Sequence, residues 1–176
     1  MEYSLDMIVN SSRMNFSPQR LPKSIQKILA WLHVDFDPPR APSAGAVVLA
    51  SVVAILGSLL ADALLVIVGT HAFPSTKGYA HFQLSDYGKL TVIGVIIACI
   101  GWPIVARITS RPKWLFLRLA IATTLVLWLP DLYIWHAGQP TKAVLVLMCM
   151  HVAIAVVTYL SLVKLAPVHR MRRQAA

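Results

Sequence analysis

The sequence predicts an all-α membrane protein: a four-transmembrane-helix bundle with an N-terminal interfacial amphipathic helix and a structured outer loop between spans one and two. Three observations carry that expectation. Of 176 residues, 57% are hydrophobic and 13% charged, with a mean hydropathy of +0.68, which leaves too little charge to cover a soluble domain of this size. Four apolar runs reach the roughly 20 residues that a helix needs to cross hydrocarbon, and none alternates with period two as a barrel strand would. The basic residues fall outside those runs in three clusters, before the first, between the second and third, and after the last, all on one side if the spans number four.

Each span is bounded by charge or by turn residues. The first covers about 44–68, broken only by Asp62; the second, about 89–106, closes at Arg107. The third covers about 114–135 and the fourth about 141–165. Arg13, Arg20, Lys23, Lys27 and Arg40 precede span one, Arg107, Arg111 and Lys113 join spans two and three, and Lys164, Arg170, Arg172 and Arg173 follow span four. The other two loops hold only Lys77, Lys89 and Lys142. The positive-inside rule then puts both termini in the cytoplasm of an inner (plasma) membrane protein. Glu2 and Asp6 near the start, and a first apolar run that begins only near Ala44, argue against a secretory signal peptide.

The net charge of +9 points to anionic lipid headgroups and not to nucleic acid, because the basic residues flank apolar spans instead of covering a folded face. Lys23, Lys27, Arg111, Lys113, Arg170, Arg172 and Arg173 are the expected headgroup contacts. Residues 1–43 form a cytoplasmic segment too short and polar for a core of its own. Within it, residues 22–36 carry Ile25, Ile28, Leu29, Leu32 and Phe36 at helical spacing. They predict a helix that lies on the leaflet or packs on the end of the bundle; residues 1–21 read as irregular, and residues 167–176 as a basic tail. Trp102, Trp114, Trp128, Trp135, Tyr87 and Tyr133 sit near span ends, where aromatic rings anchor at the interface.

Candidate chemistry is confined to polar groups inside the spans. Asp62, Asp131 and His151 are ionisable, costly in hydrocarbon, and expected to face the bundle interior. From the helical rise they lie about 9, about 10 and about 3 Å outward of their span midpoints, so all three share the outer half of the bilayer. Ser58 shares the face of Asp62, and convergence of the three faces would make a polar cluster suited to proton transfer or metal capture. The competing expectation is structural: Asp62 neutral or paired with Lys77 or Lys89, and His151 bonded to a hydroxyl across the helix interface. His71, His81 and His136 would extend the site outward, without a metal-ligand pattern. Cys99 and Cys149 stand at similar depth, as inert thiols or as a redox pair. Gly57 with Ala61, and Gly94 with Ala98, have the spacing of close helix contacts. No Walker loop, GxSxG, HExxH, CxxC or Rossmann glycine pattern occurs, so neither a catalytic residue, a metal site nor a cofactor is expected.

Arg111-Pro112-Lys113 before a long apolar span, Pro130 late in that span, and the Met150-His151 pair in the last span resemble an actinobacterial family of small four-helix membrane proteins of unknown function. The resemblance covers roughly residues 44–166. It implies a polar residue in span one, which Asp62 matches, and no known activity; the longer N-terminal segment departs from it. Two functional expectations follow. One is a non-enzymatic accessory or interaction subunit of an inner-membrane assembly, with a membrane-protein partner or a second copy. The other is a small-molecule or ion handler built on Asp62, Asp131 and His151.

Overall fold

The computed structural model describes residues 22–34 and 40–170. Helix α1 (Lys23–Trp31) comes first, then a two-residue strand β1 (Arg40–Ala41) and four long helices: α2 (Ala44–Ala72), α3 (Leu84–Ile108), α4 (Pro112–His136) and α5 (Thr141–Leu165). Strand β2 (His169–Arg170) returns antiparallel to β1. All four long helices are long and apolar enough to cross a membrane. Their outward faces carry residues such as Leu56, Leu60, Leu64, Ile97 and Ile100, each more than half exposed. A soluble monomer does not present apolar surface on this scale; the chain is a multi-pass membrane protein.

Helix limits follow backbone hydrogen bonding, whereas hydropathy follows the bilayer. Ser43 starts α2, its hydroxyl accepting from the Ala46 amide at 3.3 Å. Span four matches its expected limits, 141–165. Helix α3 starts five residues before the expected 89, because Leu84-Ser-Asp-Tyr-Gly is polar but helical, and α2 runs on to Ala72. The loop between them therefore shrinks to residues 73–83. It is built of two 3-10 turns, Pro74–Thr76 and Ala80–Phe82.

Helices α2 and α5 form the central seam; α3 flanks α2 and α4 flanks α5. The seam is close because α2 buries Ala50, Ala54, Ser58 and Asp62, a strict four-residue step of mostly small side chains. A Cβ on Gly57 would stand 3.0 Å from Val157 Cγ1, and one on Gly69 only 2.7 Å from Val146 Cγ2. Gly94 faces open space, so the second small-residue pair does not make the close contact its spacing implied.

The basal end, which carries β1 and β2, is locked by polar contacts. Trp102 is fully buried, and its indole Nε1 donates to the Ala166 carbonyl at 2.9 Å, with its ring 5.1 Å from Phe116. It is a core residue and not the interfacial anchor expected from its position near a span end; Tyr133 and Trp135 remain exposed. Helix α1 stops at Trp31, short of the expected residue 36, because His33 takes φ 53° and turns the chain. There Thr109 Oγ1 donates to the His33 carbonyl at 2.6 Å, and Val34 bridges to Thr109. The Arg118 guanidinium lies over the rings of Trp31 and Trp114, 4.3 and 3.6 Å from their centroids. Helix α1 is thus pinned to the bundle by its last turn, while Ile25, Ile28 and Trp31 stay exposed. Residues 1–21, Phe36, Arg172 and Arg173, to which the sequence assigned an irregular segment, a helix position and headgroup contacts, lie outside the described residues, as does the Arg170 side chain.

Candidate functional site: a polar cluster inside the bundle

The four-residue step along α2 carries Ser58 and Asp62 into the seam, where both are fully buried. Asp62 takes one partner from α3: Thr91 Oγ1 donates to Asp62 Oδ2 at 2.7 Å. Its second oxygen, Oδ1, is buried without any hydrogen-bond partner. One turn toward the basal end, the Ser58 and Thr158 hydroxyls meet across the α2–α5 seam at 3.5 Å.

On the other side of α5, His151 Nδ1 stands 3.1 Å from Asp131 Oδ2 and 3.1 Å from the Leu147 carbonyl one turn back. Asp131 is 6% exposed, and its Oδ2 is a close ionic contact but not a well-directed hydrogen bond. His151 lies within electrostatic reach of both carboxylates. The structure therefore unites Asp131 and His151 in a pair and sets Asp62 nearby with its own partner on α3, two linked subsites in place of one knot. Thr91, which sequence reasoning missed, completes the Asp62 subsite; as the third residue of the expected second span, it gave no sign that its face would meet α2.

The distal end is closed by the 73–83 loop. Phe82 is buried against Ala143, Val146 and Met150, with Tyr79 and Tyr87 packed beside it. The Tyr79 ring stands edge-on to His81 and Phe82, at 5.3 and 5.2 Å, and its hydroxyl is buried without a partner. Burial first, then the negative field of Asp131, pushes the Tyr79 phenol above its ordinary value. On the solvent side of this lid, His81 Nδ1 pairs with Asp86 Oδ2 at 2.6 Å, both about half exposed.

Several expectations are corrected here. Asp62 pairs with Thr91 and not with Lys77 or Lys89, both of which are exposed. His71 and His136 are exposed, and His81 turns to Asp86, so the outer histidines do not extend the cluster. Among the described residues no three His, Cys, Asp or Glu side chains come together to hold a metal ion. Cys99 is buried, Cys149 is exposed and both are free, so they form no redox pair in this arrangement. Lys23, Lys27, Arg111 and Lys113 are exposed.

The arrangement is chemically specific: two carboxylates and an imidazole on three different helices, inside an apolar bundle, with one oxygen of each carboxylate, Asp62 Oδ1 and Asp131 Oδ2, lacking a hydrogen-bond donor. No curated protein and no solved structure matches the chain. Residues 38–167 match the model of a family described as a family of unknown function (DUF6069), and the chain belongs to that family.

Proposed function

We propose that the chain is a proton-exchanging membrane protein whose site is Asp62 with Thr91, coupled to the Asp131–His151 pair. The observation that supports this reading is Asp62 Oδ1, fully buried and without a donor. A carboxylate charge buried with an oxygen that no donor reaches is costly, and a proton carried on the carboxyl group removes that charge. Ionisable groups held inside a span are rare and commonly mark ion and proton paths. His151 supplies a second exchangeable proton, with Asp131 to balance an imidazolium. The test is proton flux into pyranine-loaded liposomes under a potassium diffusion potential. Wild-type protein raises flux above that of empty liposomes, and Asp62→Asn abolishes the increase while remaining folded. Wild-type flux equal to that of empty liposomes rejects the reading.

A second reading, a non-enzymatic accessory or interaction subunit, is favoured by one observation. Helix α1 is pinned to the bundle yet leaves Ile25, Ile28 and Trp31 exposed, a ridge that suits a membrane-protein partner or the leaflet itself. A mild-detergent pull-down quantified by mass spectrometry tests it: a stoichiometric partner lost on deleting residues 1–36 supports it, and a protein recovered alone rejects it. With either reading we assign an actinobacterial source, an inner (plasma) membrane location, cytoplasmic termini and anionic headgroups around the basal end. The distribution of Lys and Arg supports the last three.

A further inference from the structure

Between α4 and α5, on the outward side of the bundle, runs a groove of about 320 Å³ with an apolar lining. Its α4 wall is Leu117, Ile121 and Leu125, and its α5 wall is Val152, Val156 and Leu160. Each row steps by four residues, so each forms a ridge along its helix, and all six side chains are at least 41% exposed. Ala120 and Ala155 line the groove between them, and their small side chains give it depth.

Two features identify the occupant. From Leu117 to Trp128, the distal limit on α4, the groove is about 16 Å long at the helical rise, which matches the roughly 15 Å depth of one leaflet's hydrocarbon. The same ridges, continued one step toward the basal end, reach Lys113 on α4 and Lys164 on α5. Both lysines are exposed, and Tyr159, which also lines the groove, donates its hydroxyl to the Lys113 carbonyl at 3.4 Å. An apolar channel about one leaflet deep thus runs toward two exposed lysines, one on the helix of each wall.

We propose that this groove is a binding site for one anionic phospholipid, an acyl chain lying between α4 and α5 and the phosphate held by Lys113 and Lys164. The tail supplies burial that any phospholipid shares, and the lysines supply headgroup selectivity. None of Asp62, Asp131 and His151 lines the groove, and its occupancy does not depend on proton exchange.

The test is native mass spectrometry of delipidated, detergent-solubilised protein titrated with dioleoyl phosphatidylglycerol or dioleoyl phosphatidylcholine. Wild-type protein binds one phosphatidylglycerol about twenty-five-fold more tightly than phosphatidylcholine, the product of roughly fivefold per lysine. Lys113→Gln and Lys164→Gln each lose about fivefold for phosphatidylglycerol alone, and the double variant no longer discriminates. Ala155→Phe fills the groove and weakens both lipids together; Ala120→Leu serves the same purpose if circular dichroism shows the first variant to be unfolded. Equal affinity for the two lipids, or lysine variants without effect, overturns the proposal. So does a dimer that shields the groove and whose stability, unlike lipid binding, responds to Ala155→Phe.

Discussion

His151 Nδ1 faces two acceptors at once, Asp131 Oδ2 and the Leu147 carbonyl, each 3.1 Å away. Neither can donate when Asp131 is ionised, so Nδ1 carries a proton whether the ring is neutral or cationic. Nitrogen-15 NMR of labelled histidine should show a protonated Nδ1 for His151, and a dominant Nε2–H tautomer would refute the pairing. The pair joins α4 to α5 and should register as energetic coupling. A double-mutant cycle of Asp131→Asn and His151→Gln is expected to give an interaction of about 1–2 kcal/mol.

Trp102 ties α3 to the end of α5 through the Ala166 carbonyl at 2.9 Å, in a spot with no exposure at all. Trp102→Phe keeps most of the ring contact with Phe116 and strands the carbonyl, at a cost of about 1–2 kcal/mol. Trp102→Ala also opens a cavity and should cost about 3–5 kcal/mol. Unfolding by SDS titration in mixed micelles measures both. If Trp102→Phe is silent, the hydrogen bond contributes nothing.

The contrast between Trp102 and Trp135 explains what the sequence could and could not disclose. Both indoles stand near the end of an apolar run, and both meet the description of an interfacial anchor. Only packing decides that one is fully buried and the other 51% exposed. Span number was legible because crossing hydrocarbon demands length and apolarity from a contiguous segment, a local requirement. The facing of Ser58 and Asp62 was legible too, since helical phase is local. Which helix each face meets is not: the same phase fits Asp62 whether Thr91, Lys77 or Lys89 is its partner. The polar start of α3 at Leu84 was misread for a related reason, because hydropathy reports the bilayer boundary and not the last backbone hydrogen bond.

Gly69 and Gly94 should respond oppositely to one methyl group. At Gly69 the new Cβ would press into Val146, whose β-branched side chain has little freedom to yield on a helix. Gly69→Ala is expected to cost about 1–3 kcal/mol, and Val146→Ala should restore much of that loss. Gly94 meets nothing within 4 Å, so Gly94→Ala should raise stability by up to about 1 kcal/mol through helix propensity. Equal effects at the two sites would contradict the close α2–α5 seam.

Arg118 holds α1 by placing its guanidinium over the rings of both Trp31 and Trp114, with Nη1 buried and without a hydrogen-bond partner. Arg118→Gln removes the cation and most of the flat stacking surface, and should weaken docking by about 1–2 kcal/mol. Limited proteolysis near residues 32–43 should then quicken about fivefold to thirtyfold, while cleavage in the 73–83 loop stays at the wild-type rate. Trp31→Ala should reproduce the effect from the other partner. Unchanged cleavage in both variants would mean that α1 is held by His33 and Thr109 alone.

Tyr79 offers a pH test outside the spans. Its hydroxyl is buried without a partner, and burial together with the field of Asp131 raises its phenol above the ordinary 10. The folded chain therefore keeps this proton at pH values where the unfolded chain releases it. The resulting contribution to stability is fully present below the unfolded value and is lost as pH rises through the higher folded one. Phenylalanine cannot ionise, so Tyr79→Phe should escape that alkaline loss. Near pH 8 the variant should match wild type or exceed it by up to about 1 kcal/mol, since it removes an unsatisfied hydroxyl. Between about pH 10 and about pH 11, around and above the ordinary tyrosine range, the gap in SDS unfolding midpoints should widen in favour of the variant. A variant less stable than wild type at pH 8 would show that the hydroxyl has a partner in the lid and would withdraw the argument.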